Sequence, residues 1–446
     1  MRILFIHQNF PGQFSHIARQ LAADPNNEVI AICQKQAPKL AGIQCITYAP
    51  SRPITKGIHH YIAGAESAVL NGQAVVRIMQ QLKQQGFVPD IIIGHAGWGE
   101  TLYCKDVFPT SKLINYFEFF YHATGADTDF DPEYLNTADD VLRIRTKNII
   151  NLLSLESCDA GISPTAWQKS QYPAAYQSQL SVIHEGINTD LATPNDEASL
   201  TLPDGRVLTA KDKVITYIAR NLEPYRGFHI FMPAAQEISK RHPDCHVVIV
   251  GADGVSYGRV PKDGKTFKQQ MLEEVSVDSK RVHFMGKLPY AEYLKVLQIS
   301  AAHVYLTVPF VLSWSMLEAM AAGCLVIASD TAPVTEVITH EKTGLLVNFF
   351  SPIEIADAVD RALTQSEDLA PLRTAARAYV QKHYTVSRSV QQYETLLNRM
   401  LAPRALAVIK TQVKPQAEAT IAPKFEAKQL KANRNKIKPT TQHQNK

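Results

Sequence analysis

Short apolar runs alternate with amphipathic stretches along most of the chain, the pattern of an α/β protein built on parallel sheets. Ile3-Leu4-Phe5-Ile6 reads as a first buried strand, Gly12 comes next in a tight loop, and a helix is predicted to begin near Phe14. Further strands are predicted at 29–33, 91–94, 113–117, 160–163 and 180–184. Residues 193–212, rich in Pro, Asp, Gly and Thr, read as a connection. A second series of strands is predicted at 214–219, 247–251, 282–285, 303–307, 325–329 and 345–347, with helices at about 227–241, 266–275, 290–299, 315–323, 333–339, 352–365 and 368–384. A last amphipathic segment covers 387–401.

Residues 309–338, PFVLSWSMLEAMAAGCLVIASDTAPVTEVI, carry the densest chemistry. They read as a polar turn, a helix closed by Gly323, a buried strand, and a second turn and helix. Glu318 lies in a helix otherwise fit for burial, among Met316, Leu317, Ala319 and Met320. A carboxylate there is costly to desolvate unless something hydrogen-bonds to it. Two ribose hydroxyls would do so, and so would a partner inside the protein. The backbone N–H groups at the helix N-terminus, around Ser313, Ser315 and Met316, would suit a phosphate. The segment offers both halves of a nucleoside-diphosphate site, or it is an ordinary core helix with a salt-bridged Glu.

This segment resembles the donor-binding signature of family-four retaining glycosyltransferases, which have the GT-B fold. Glu318 matches the second Glu of that signature. The run AMAAGCLVIASD, Thr335-Glu336-Val337 and Gly344-Leu345-Leu346-Val347 match its later positions. Phe310 stands where the family carries its first Glu. Two more anchors are similar to the family's: Ile218-Ala219-Arg220-Asn221-Leu222-Glu223-Pro224-Tyr225-Arg226-Gly227, and Val182-Ile183-His184-Glu185-Gly186-Ile187-Asn188-Thr189-Asp190. The resemblance covers roughly residues 1–402. It implies two Rossmann-like domains facing across a cleft: 1–192 on the acceptor side, with a crossover helix at about 387–401, and 193–386 binding the donor. It implies retention of configuration and no metal or other cofactor. It also implies that Arg220 and Arg226 hold the diphosphate and Glu318 the ribose.

Composition adds limits. At 446 residues, two domains are the natural expectation. No window approaches a membrane-spanning length of apolar residues, and the first residues read as a strand rather than a signal peptide. The six cysteines lack metal or disulfide spacing and read as free thiols of a cytoplasmic protein. Residues 403–446 hold ten Lys or Arg against two Glu, a net of +8, so the remainder carries −4 against the total of +4. That tail is expected to be disordered. It reads as a solvated segment or as a peripheral contact with anionic membrane at the inner face; no specific nucleic-acid partner is expected.

In the first domain, Gly12 is where backbone can approach the donor, or simply a tight turn. Glu118, after the strand at 113–117, is the candidate to touch the donor sugar, orient the acceptor hydroxyl or accept its proton, with a buried structural Glu as the alternative. His95 and Trp98, in the loop Gly94-His95-Ala96-Gly97-Trp98-Gly99-Glu100, and His122 are acceptor-side candidates. Asp127-Thr128-Asp129 spells a metal-binding DxD, but in an acidic loop where no metal is expected. The reading is a retaining, metal-independent glycosyltransferase of the hexosyl type. Its donor is a nucleotide sugar, its acceptor a glycan or lipid-linked hydroxyl, and its setting glycan or polysaccharide biosynthesis. A sugar-phosphate synthase or phosphorylase on the same fold, and a non-catalytic nucleotide-sugar-binding protein, are the alternatives.

Overall fold

The computed structural model describes residues 1–35 and 38–402; the basic tail lies outside the described residues. Two parallel sheets organise the chain. The first holds β1 (Arg2–Ile6), β2 (Glu28–Cys33), β3 (Ile43–Thr47), β4 (Ile91–His95), β5 (Lys112–Tyr116), β6 (Ala160–Ser163) and β7 (Leu180–Val182) in the order β3-β2-β1-β4-β5-β6-β7. A short antiparallel hairpin, β8 (Ser199–Thr201) and β9 (Val207–Thr209), comes next. The second sheet holds β10 (Val214–Asn221), β11 (His246–Ala252), β12 (Val282–Gly286), β13 (Ala302–Tyr305), β14 (Val326–Ser329) and β15 (Leu345–Val347) in the order β12-β11-β10-β13-β14-β15.

Both orders reverse direction beside the first strand of the sheet, between β1 and β4 and between β10 and β13. Such switch points open ligand crevices at the carboxyl ends of the strands. The helices of the first half are α1 (Ser15–Ala23), α2 (Ala63–Gln84), α3 (Cys104–Val107), α4 (Ala138–Lys147), α5 (Ile149–Ser157), α6 (Ala166–Ser170) and α7 (Ala174–Gln177). Those of the second are α8 (Phe228–Arg241), α9 (Phe267–Glu274), α10 (Tyr290–Gln298), α11 (Trp314–Ala321), α12 (Ala332–Thr335), α13 (Pro352–Thr364), α14 (Ser366–His383) and α15 (Val386–Leu401).

Strands covered on both faces read as unbroken apolar runs, which is why β1, β4, β10 and β11 are plain in the sequence. Alternate residues feed opposite cores. Leu4, Ile6, Ile30 and Ile92 pack with Val75 and Met79 of α2. Ile3, Phe5, Val29 and Ile91 pack with Ile17 of α1 and with Tyr393, Leu396 and Leu397 of α15. The final helix thus returns to the first sheet, and its buried Tyr393 stripe closes that face.

The helices α2 to α7, the strand β3 and the β8–β9 hairpin go beyond the sequence expectation. α2, with 22 residues the longest helix described, has Gly64, Asn71 and Gly72 in its N-terminal half, which blur its periodicity. β3 is a half-buried edge strand with a weak apolar signal. The 193–212 connection contains the β8–β9 hairpin, and the helix predicted at 333–339 is the single turn α12. Cys45, Cys104, Cys158, Cys245 and Cys324 are free thiols. Among the described residues, no helix is long and apolar enough to cross a membrane.

The segment between β5 and α4 reaches across to the second half. Asp127 Oδ2 accepts from the Tyr225 hydroxyl at 2.9 Å, Asp131 Oδ2 lies 2.8 Å from His229 Nε2, and Phe119 packs on Phe310 at 4.7 Å between ring centroids. On the other side Glu336, just past α12, accepts from the backbone N–H groups of Ala166 and Trp167 at 2.8 and 2.6 Å, capping α6.

Candidate active site

The carboxyl ends of β1, β4 and β5 bring His7, His95 and Glu118 together. Gly12 takes φ +45°, and a Cβ there would lie 2.3 Å from the His7 ring. A side chain would therefore displace the imidazole. Gly12 makes room for His7. His7 Nδ1 accepts from the Asn9 N–H at 2.9 Å, which assigns the proton to Nε2. Nε2 then donates to Gln13 Oε1 at 2.7 Å, and Gln13 Nε2 donates to Glu118 Oε1 at 3.2 Å. Every donor in this relay has an acceptor, and it ends on the Glu118 carboxylate.

His95 approaches the same carboxylate from the other side. Its Nδ1 accepts from the Gly97 N–H at 3.0 Å, so its proton sits on Nε2, 3.9 Å from Glu118 Oε2 and without a hydrogen-bond partner. The ring stacks on Trp98 at 4.3 Å. Burial pushes His7 down to about 4 and His95 well below the ordinary imidazole value, so both rings are neutral near pH 7. Burial, and then the neighbouring Glu185 carboxylate, push Glu118 up to about 7, against the pull of Gln13, Arg220 and Arg226. Its side chain keeps 36% of its surface accessible, yet protein surrounds it closely. It is thus partly open to water but poorly solvated.

The opposite wall is the end of β10. The chain turns through 224–226 and needs a left-handed residue next. Gly227 has φ +66°, and a Cβ there would meet Leu306 Cβ at 2.6 Å. That close approach presses Arg226 inward until it is only 7% exposed. Arg226 Nη1 donates to the hydroxyls of Thr307 at 2.8 Å and Tyr305 at 3.1 Å, and its guanidinium carbon lies 5.7 Å from the Tyr257 ring and 6.0 Å from the Phe310 ring. Among the described residues no carboxylate pairs with it. Arg220 is exposed, and its charge acts on Glu118. A buried guanidinium facing hydroxyls and aromatic rings has the chemistry to pair with an anion.

Glu318 sits on α11. Its oxygens accept from the Tyr290 hydroxyl at 2.8 Å and the Tyr293 hydroxyl at 2.6 Å, both on α10. Burial raises its carboxyl above the ordinary glutamate value, and the two tyrosines pull it part-way back. The partner this helix position requires is thus a pair of phenols. A carboxylate offers about four lone-pair sites, so two remain for ligand hydroxyls.

Two expectations differ from the geometry, the open amides of α11 and the place of His122. The N-terminal amides of α11 are mostly engaged: Ser313 N–H donates to the Tyr305 hydroxyl at 2.9 Å, Ser315 N–H to Ser313 Oγ at 3.3 Å, and Met316 N–H to Ser313 O at 3.3 Å. The reason is local, since Ser313 caps its own helix. Trp314 N–H alone in this turn has no protein partner among the described residues. Met316 has its side chain in the core. His122 is not part of the cluster; its Nε2 lies 2.8 Å from Gln171 O and its ring packs on Phe120. In Asp127-Thr128-Asp129, one oxygen of Asp127 accepts from the Tyr225 hydroxyl and Asp129 Oδ1 accepts from the Asn136 N–H. Nearby, Asp131, Glu133 and His229 bring possible ligand atoms within 4.8 Å of one another, but Asp131 and His229 already bond to each other.

Sequence reasoning missed Glu185. Its carboxylate accepts from the Tyr116 hydroxyl and from Trp314 Nε1 at 3.1 Å, with His184 Nε2 at 3.3 Å. It joins the end of β5 to the start of α11. The HEG turn after β7 was the available signal.

Residues 25–192 match the family described as Glycosyl transferase family 4 group, and residues 204–379 match Glycosyl transferases group 1. The chain belongs to the family-four glycosyltransferases. The D-inositol 3-phosphate glycosyltransferase of Corynebacterium glutamicum (strain R) is 29% identical over 192 residues, 42% of this chain and 44% of the relative. The chain spans about half the length of the curated relatives it matches. Among solved structures, the sucrose-phosphate synthase of Thermosynechococcus elongatus aligns with TM-score 0.68 at 18% identity, covering 90% of this chain and 99% of that one. Anabaena Alr3699/HepE in complex with UDP-glucose aligns with TM-score 0.63 at 14% identity, covering 90% and 100%. These likenesses establish the GT-B fold for this chain.

Proposed function

We propose that this glycosyltransferase moves a sugar from a nucleoside-diphosphate sugar to a hydroxyl acceptor with retention of configuration, without a metal, in glycan or polysaccharide biosynthesis. The observation that carries the reading is Arg226, a buried cation with hydroxyl and aromatic neighbours and no carboxylate ion pair among the described residues, at the switch point of the second sheet. Charge building on a departing diphosphate is stabilised best by donors already fixed in place. Arg226 supplies a held fork and Arg220 an open one. Glu318, oriented by Tyr290 and Tyr293, accepts the ribose hydroxyls. Across the cleft the Glu118 carboxylate, fixed by Gln13 and flanked by the His95 Nε2–H, positions the transferred sugar. The leaving phosphate takes the hydroxyl proton on the face it departs from, which keeps the configuration.

UDP is the favoured nucleotide, since UDP-glucose occupies the related Anabaena structure. Incubation with a panel of UDP- and GDP-sugars, with and without chelator, followed by proton NMR of the anomeric signals, tests the proposal. It expects donor turnover that survives chelation and a product of unchanged anomeric configuration. Inversion would remove the proposed mechanism, and a strict metal requirement would remove the guanidinium clamp.

A further inference from the structure

A cavity of about 470 Å³ lies between the two halves, and neither Glu118 nor Glu318 lines it. Its walls come from the segment after β5 and from α4 on one side, and from the turn after β10, residues 257–262 and α9 on the other. The size is that of an ordinary small-ligand pocket. Its polar lining is unfinished in one place. Asp127 is 5% exposed; its Oδ2 is used by Tyr225, and its Oδ1 has no partner. A buried acceptor left unpaired costs about 1–3 kcal/mol, a deficit that a ligand hydroxyl in the adjoining space would remove.

The rest of the lining suits a sugar. Tyr134 from the first half and Tyr257 from the second keep 45% and 38% of their surface exposed. Asn136 and Gln270 add side-chain amides. Four acidic and four basic side chains line the cavity, so an occupant needs no net charge. Position matters as well. Tyr257 packs on Phe310 at 4.9 Å between centroids, and its ring lies 5.7 Å from the Arg226 guanidinium carbon. The cavity therefore shares an aromatic wall with the diphosphate clamp. Phe267 of its lining belongs to one core of the second half, whereas Met316 and Leu317 of the Glu318 helix belong to the other. Cavity and ribose site thus lie on opposite sides of the second sheet.

We propose that this cavity receives the acceptor, a neutral polyhydroxylated ring, with a hydroxyl on Asp127 and its face against Tyr134 or Tyr257. The assignment rests on the proposed glycosyl transfer. Saturation-transfer NMR on the full chain with UDP present tests it, using methyl α-glucoside, methyl α-mannoside, N-acetylglucosamine and myo-inositol as probes. The wild type is expected to bind at least one of them. Tyr134→Ala and Asp127→Asn are each expected to weaken that binding at least tenfold while the UDP signal is unchanged. Failure of every sugar to bind the wild type, or unaltered binding in both variants, overturns the assignment. Loss of the UDP signal from the wild type would instead overturn the donor reading.

Discussion

Replacing Arg226 by Met should separate stability from nucleotide binding. Moving a cation into the interior costs several kcal/mol after relaxation. Arg226 recovers part of this from two hydrogen bonds to hydroxyls, at about 1.5–3 kcal/mol each for a charged donor, and from two aromatic faces at about 0.5–2 kcal/mol. With 7% exposure and no carboxylate partner among the described residues, these terms nearly cancel. Met keeps the aliphatic bulk and removes the charge. The ligand-free variant should therefore melt at the same temperature as the wild type or higher. Binding should change far more. A fork on a diphosphate contributes two charge-assisted bonds, about 3–5 kcal/mol, so UDP affinity should fall by roughly a hundred- to several-thousand-fold. Calorimetry for UDP, with melting curves of both ligand-free proteins, measures the two effects. A variant that binds UDP within threefold of wild type, or whose ligand-free form is clearly less stable, would show that Arg226 is a structural residue and refute the clamp.

Glu118, held near 7 by burial and by Glu185, is assigned to work ionised. Below pH 7 it gains a proton, so kcat/KM should fall about tenfold per pH unit; Glu118→Gln should be about a hundredfold slower and lack that inflection. The raised value also means that folding favours the protonated form, so the stability it contributes is lost as pH rises through 7, and Glu118→Gln should melt higher than wild type above pH 7. Glu318→Gln should raise the donor KM about tenfold with kcat less affected, and a silent result would remove the ribose contact. Gly12→Ala forces a Cβ onto the His7 ring at a left-handed φ, and should cost at least about 1 kcal/mol by chemical denaturation.

Much of this fold was legible because buried parallel strands need no alternation. β10, β11 and β14 appear as plain apolar runs, and the helices of the second half begin at recognisable capping residues such as Thr266, Ser313 and Ser351. α2 escaped because two glycines and an asparagine interrupt its stripe. At the candidate site, the placement of Arg220 on β10, of Arg226 in the turn after it and of Glu318 on α11 was legible because strand, turn and helix fix them locally. Their partners were not, because those are set by packing between distant elements. Tyr290 and Tyr293 precede Glu318 by 28 and 25 residues. Gln13 meets Glu118 across 105. Phe310 has the same character. It stands where the family carries a Glu, and in the fold it is one ring of a cluster with Phe119, Tyr225 and Tyr257 that joins the two halves. The amides of α11 looked open because the sequence does not reveal that the Ser313 side chain and the Tyr305 hydroxyl occupy two of them.

A crystal structure with a bound nucleoside diphosphate tests the central claim most directly. The diphosphate is expected within hydrogen-bond distance of both Arg220 and Arg226, with the ribose hydroxyls on the Glu318 carboxylate beside Tyr290 and Tyr293. A nucleotide bound elsewhere, or a diphosphate that leaves Arg226 on Tyr305 and Thr307 alone, would contradict the account.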